Sequence, residues 1–167
     1  MKMMLQTLCR YNRWMNEKLY AVCATMPDEL RKENKGAFFG SMHGTLNHLL
    51  LADRIWLGRF TGEPFKARSL DEELYSDFAM LRQQRAKTDA AIAAWLDALS
   101  EEELAAPFTY VMMTNPQQIT QPLWQAALHL FNHQTYHRGQ ITTLMEQTGY
   151  DSGVTDLLWM LREEGQS

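Results

Sequence analysis

Apolar residues recur at intervals of three and four along most of the chain, the repeat of an α-helix with one buried face. Leu5, Leu8, Asn12, Met15, Leu19, Val22 and Met26 fall on one such stripe over about residues 3–25, and Pro27 ends it. A second run opens near Ser41 and closes near Thr61-Gly62, shortly before Pro64. Ser69-Leu70-Asp71-Glu72 has the spacing of a capping box, so a third helix is predicted from Ser69 to Leu99. Pro122 suits the first turn of a fourth helix, which Gly149 would end as its C′ residue. A short fifth segment over residues 155–164 carries Leu157, Leu158 and Leu161. Each stripe needs a partner, and strand-like runs are too few to supply a sheet. The pattern therefore predicts an all-α fold, a four-helix bundle with a short fifth C-terminal helix. Residues 107–121 are the exception: Phe108-Thr109-Tyr110-Val111-Met112-Met113 and then Thr114-Asn115-Pro116 suit a short extended stretch or hairpin over one end of the bundle.

A length of 167 residues predicts one domain spanning 1–167. With 46% hydrophobic and 22% charged residues, the chain can bury a core. Its 16 basic and 20 acidic residues leave a net charge of −4, and no basic cluster extends beyond Arg31-Lys32 with Lys35. That excludes nucleic acid bound by a basic face. No membrane is expected either, because the apolar runs are too short to cross one, and Gln6, Arg10 and Arg13 interrupt any secretory h-region. The expected location is cytoplasmic. Cys9 and Cys23 on one helix would stand roughly 21 Å apart at 1.5 Å per residue, beyond disulfide reach. Two free thiols suit a reducing compartment. The five tryptophans and eleven methionines are read as packing residues.

The histidines change the picture. His43 and His48 lie in the second helix, and His129, His133 and His137 in the fourth, at two consecutive i,i+4 spacings. Residues four apart share a helix face, so two imidazoles at that spacing can converge on one ion. On a wheel of 100° per residue, Leu123, Ala126, Leu130, His133, His137, Ile141 and Leu144 share a sector of roughly 80°. His129 falls roughly 40° outside it, a rim or packing position by the same reckoning. Buried imidazoles without partners forfeit on the order of 1–3 kcal/mol each. Either a metal ion satisfies this pair, or each ring bonds a carbonyl or carboxylate across the bundle. A third ligand would come from the second helix, where the wheel leaves both His43 and His48 open. No His-Glu-x-x-His, Glu-x-x-His, phosphate-cradling glycine loop or Gly-x-Ser-x-Gly elbow is present. Three neutral nitrogen ligands would leave open positions on a divalent ion, as catalytic sites do.

Three segments resemble the DinB/YfiT-like superfamily of small metal-binding helical bundles: Tyr11-Asn12-Arg13-Trp14-Met15-Asn16, Leu46-Asn47-His48-Leu49-Leu50-Leu51-Ala52-Asp53-Arg54-Ile55-Trp56, and Asn132-His133-Gln134-Thr135-Tyr136-His137-Arg138-Gly139-Gln140. The last is the most specific. The resemblance implies a variant up-and-down four-helix bundle, a homodimer, and a divalent ion such as zinc, nickel or iron held by His48, His133 and His137. It selects His48 over His43. One departure is Tyr136, where many relatives carry a further histidine. Some members are transferases or isomerases that use a low-molecular-weight thiol as cosubstrate, so the resemblance implies a metal-dependent enzyme acting on a small molecule. Asp53, His129, Tyr136, Arg138 and Gln140 are then candidates for orienting ligands or substrate, while Asp53 and Arg138 equally suit an ion pair between helices. The competing expectation is a non-catalytic module in which the ion only staples the bundle.

Overall fold

The computed structural model of the chain describes residues 1–113 and 117–165. Its elements are α1 (Lys2–Ala24), α2 (Asp28–Lys32), α3 (Met42–Thr61), α4 (Phe78–Ala98), α5 (Glu101–Ala105), β1 (Pro107–Val111), β2 (Gln118–Pro122), α6 (Leu123–Gln147) and α7 (Leu157–Gly165). The four long helices form the body, with α1 and α3 each packing on both α4 and α6. Among the described residues no helix is long and apolar enough to cross a membrane. Cys9 and Cys23 are both free and buried in α1.

Two apolar clusters make up the core. One contains Met15, Leu19, Leu46, Leu50, Leu81 and Ile141; the other contains Leu5, Ile92, Leu96, Leu104, Leu130 and Phe131. Between them, every long helix contributes buried polar residues: Asn12 and Asn16, Asp53, Arg85 and Asp89, and Gln134 and Arg138. The order in which each helix meets these three layers gives its direction. Helices α1 and α6 run one way and α3 and α4 the other. Consecutive α3 and α4 are therefore parallel, and residues 62–77 must return along the length of α3.

That return corrects the expected third helix. The helix starts at Phe78, with Asp77 capping the Met80 N–H at 2.7 Å. Ser69 and Glu72 form no cap; Glu72 accepts instead from the Arg68 backbone and guanidinium. Along the crossover, side chains of α3 take up backbone groups that a helix would have used. Asn47 bonds both the N–H and the C=O of Tyr75, His43 Nε2 lies 2.9 Å from the Tyr75 carbonyl, and His48 Nδ1 lies 2.7 Å from the Leu70 carbonyl. The capping box of this region is Ser100 with Glu103, which opens the separate helix α5.

The all-α expectation is corrected as well. Strands β1 and β2 pair antiparallel in register from Pro107↔Pro122 to Val111↔Gln118. Their alternation puts Phe108 and Tyr110 on one face, against Phe60 and Trp56 of α3. Pro122 ends β2 and precedes α6, whose first residue is Leu123, instead of occupying the helix's first turn. The expected turn at Thr114-Asn115-Pro116 lies outside the described residues. Ser41 caps α3 through the Gly44 N–H, and Gly149 takes up a φ of 81° after α6, both at the boundaries expected from the pattern. None of the five tryptophans is fully buried, and Trp159 is exposed.

Candidate metal centre

His48 points from α3 toward His133 and His137 of the antiparallel α6. One ligand atom from each ring lies within 4.8 Å of the others. The Nε2 atoms of His48 and His133 stand 3.3 Å apart. Two nitrogens each about 2.05 Å from a tetrahedral ion are separated by about 3.3 Å, so this pair already has the spacing of two ligands of one cation.

Hydrogen bonds orient two of the rings. His48 Nδ1–H donates to the Leu70 carbonyl at 2.7 Å, and His137 Nδ1–H donates to Gln140 Oε1 at 2.8 Å. Each bond keeps the proton on Nδ1 and leaves Nε2 with a free lone pair, as a metal-ligating imidazole requires. Burial holds the rings neutral. It lowers His48 to about 4, and with the neighbouring imidazoles it lowers His133 to about 3; His137 is also lowered, chiefly by burial. At neutral pH the cluster therefore presents unprotonated nitrogens. His137 is buried, whereas His133 is half-buried with one edge on open space.

An aromatic wall closes one side. Phe39 stacks on His48 with ring centroids 3.7 Å apart and meets His137 edge-on at 5.5 Å. Its backbone crosses α3 where Gly44 stands, and a Cβ there would lie 2.2 Å from the Phe39 carbonyl oxygen. A side chain at position 44 would displace the wall. The signal in the sequence was Phe38-Phe39 between Gly36 and Gly40, an aromatic pair in a glycine-flanked turn, which periodicity did not single out.

On the other side His48 and His133 open onto a cavity of about 470 Å³. Its apolar wall is Ile55, Trp56, Tyr110, Met112 and Met113, and its polar lining includes Arg59, Gln121, Gln125 and His129. Trp56 packs against the second core cluster, as expected of it, and also lines the cavity. The hairpin supplies part of the wall, and its place over the site could not be read from helical spacing.

The other candidate residues separate into three groups. Gln140 contacts His137 directly. His129 lies on the cavity rim, edge-on to Trp56 at 5.2 Å and 6.0 Å from the His133 ring; exposed Tyr136 meets His137 only by its edge, at 4.9 Å. Asp53 and Arg138 do not border the cluster and belong to the polar layer. Asp53 Oδ2 lies 2.7 Å from Arg85 Nη1, an ion pair whose angles fall short of a hydrogen bond. Arg85 also bonds Asp89, which accepts from Asn12 and Asn16, and Arg138 donates to Asn12 and Thr135. Asp53 thus takes the inter-helix ion pair, whereas Arg138 crosses to α1 through the neutral Asn12 side chain. Burial pushes the Asp53 carboxyl up to about 6 against the opposing pull of Arg85, and pushes Arg138 down to about 10. His43 is buried away from the cluster with its Nε2 on Tyr75.

The DinB family model matches residues 1–166. Protein DinB of Bacillus subtilis (strain 168) is 28% identical over 157 residues, covering 89% of this chain and 88% of that protein. The crystal structure of a DinB-like protein from Bacillus cereus ATCC 10987 shares the fold with a TM-score of 0.65 at 19% identity, over 85% of this chain and 91% of that one.

Proposed function

The chain belongs to the DinB family, and on that premise we propose that it is a divalent-metal-dependent enzyme of the DinB/YfiT four-helix-bundle type, transferring or isomerising a small molecule with the help of a low-molecular-weight thiol. The observation that carries the reading is the convergence of three imidazoles, two with protons fixed on Nδ1, at the edge of a cavity of small-molecule size. His48, His133 and His137 hold the ion through nitrogen, a donor set that suits zinc, nickel or iron. When bound, such an ion supplies Lewis acidity and keeps water or a thiol deprotonated at neutral pH.

The residues around it divide the remaining work. The Leu70 carbonyl and Gln140 keep the rings aimed and raise their basicity as ligands. Phe39 excludes water from the face it covers, which confines exchange to the cavity side. There the apolar wall of Ile55, Trp56 and Met112 holds an electrophile beside the cluster, where proximity favours attack by the thiolate. A cavity on the open side favours an enzyme over a staple, because an ion that only linked α3 to α6 would need no space beside it.

Elemental analysis of the wild type and of His48→Ala and His133→Ala tests the site. Stoichiometric metal lost in both variants is expected, and wild type purified with zinc or nickel but retaining none defeats the proposal. Turnover of an activated aryl halide by cysteine, glutathione or coenzyme A then tests the reaction. Activity that survives chelation of the ion rules out the transferase mechanism.

A further inference from the structure

Arg59 is the cation of the cavity wall, and it stands without a carboxylate. The ion pairs among the described residues do not include it, and the cavity lining contains no acidic side chain. It is nevertheless held in place. Nη2–H donates to the Val111 carbonyl of the hairpin at 3.0 Å, and the guanidinium lies over the Trp56 ring at 4.6 Å and the Tyr110 ring at 5.3 Å. One of its five N–H groups is used, and the rest of the fork is available. A half-buried guanidinium fixed between two aromatic faces has already lost much of its rotamer entropy, so it binds an oxyanion with little further ordering.

Its position relative to the histidines defines the ligand. His48 and Arg59 lie eleven residues apart on α3, about 16 Å along the axis at 1.5 Å per residue, and both line the same cavity. Between them runs a continuous wall, from the His133 ring to His129 at 6.0 Å, to Trp56 at 5.2 Å and on to Arg59 at 4.6 Å. The wall is apolar in the middle and cationic at the far end. We propose that the cavity takes an elongated organic acid, its carboxylate on Arg59, its apolar or aromatic body along Trp56, and its reactive end at the histidine cluster. This names the substrate class of the site proposed above and rests on that reading only for what happens at the reactive end.

4-Phenylbutanoate and the neutral 4-phenylbutan-1-ol are suitable probes, with binding followed by isothermal titration to protein with and without bound zinc. The wild type is expected to bind the acid at least tenfold more tightly than the alcohol in both states. Arg59→Gln is expected to bring the two probes within twofold of each other while retaining the wild-type helical circular dichroism spectrum and metal content. Arg59→Lys, which keeps the charge but loses the fork, is expected to retain part of the preference. A preference present only with zinc bound, and unaffected by Arg59→Gln, would show the carboxylate ligating the ion and would overturn the assignment. So would equal binding of the two probes, or no saturable binding of the acid. A protein that never binds zinc yet shows the Arg59-dependent preference would leave this subsite standing and defeat only the metal reading.

Discussion

Two polar regions occupy the same helices, and they satisfy themselves in opposite ways. In the middle layer Asp53, Arg85, Asp89 and Arg138 are buried as two anions and two cations, linked by Asn12 and Asn16. Arg85 pairs with both carboxylates, and Arg138 is taken up by the Asn12 and Thr135 side chains. The histidine cluster, a short way along α3 and α6, gathers three neutral lone pairs with no donor of its own set against them beyond the single N–H that two facing rings can share. Burying such a set costs desolvation, which the attraction between Arg85 and the two carboxylates offsets. A cluster of acceptors beside a cavity has unmet capacity for a cation. The contrast separates polar residues that hold helices together from polar residues that could hold an ion.

The largest expected effect falls on the middle layer. Arg85→Leu leaves Asp53 and Asp89 without their shared cation and should cost about 3–5 kcal/mol in urea denaturation, with the folded fraction still binding metal at full stoichiometry. Loss of metal together with stability would show that the two regions are one. Next comes the ion itself. Zinc at a hundredfold over its Kd should raise stability by about 2.7 kcal/mol, and His133→Ala should abolish that increment.

Gln140→Ala should weaken metal affinity by about 10- to 100-fold, read by competition with a chelator, whereas His43→Ala should leave it unchanged. Equal effects of the two would remove the distinction between a ring aimed by its neighbour and a ring that packs.

The comparison also sets a pH slope, and the two regions give it opposite signs. Unfolded imidazoles take protons near 6.5, whereas folded His48 and His133 wait until about 4 and about 3. The metal-free protein should therefore lose stability as pH falls below 6.5, by about 1.4 kcal/mol per pH unit for each proton in excess on the unfolded chain. Asp53 opposes this. Its folded carboxyl takes a proton near 6 and its unfolded one near 3.8, so it returns stability over that window as pH falls. Asp53→Asn should make the acid-side loss steeper, as followed by thermal melts between pH 7.5 and 5. A shallower loss would mean that the carboxyl does not titrate as its burial dictates.

The sequence by itself determined the helical stripes, their ends at Ser41, Gly62 and Gly149, and the pairing of His133 with His137, because these depend on spacings within one helix. Motif resemblance added His48. The structure decided what depends on how segments pass one another. Helices α3 and α4 run parallel, so residues 62–77 cross back over α3, and the backbone groups of Leu70 and Tyr75 meet His48 and Asn47 there instead of forming the helix that a local capping pattern announced. Asp53 and Arg138 sit close in sequence to the histidines, yet a helix turns 100° per residue, which sends them to the layer shared with Arg85 and Asn12. Phe39 and the hairpin reach the site from a loop and two strands whose positions no local periodicity encodes, and Arg59 of α3 finds its partners Val111 and Tyr110 only through that hairpin. A contact between distant residues is a property of packing, and only the folded chain contains it.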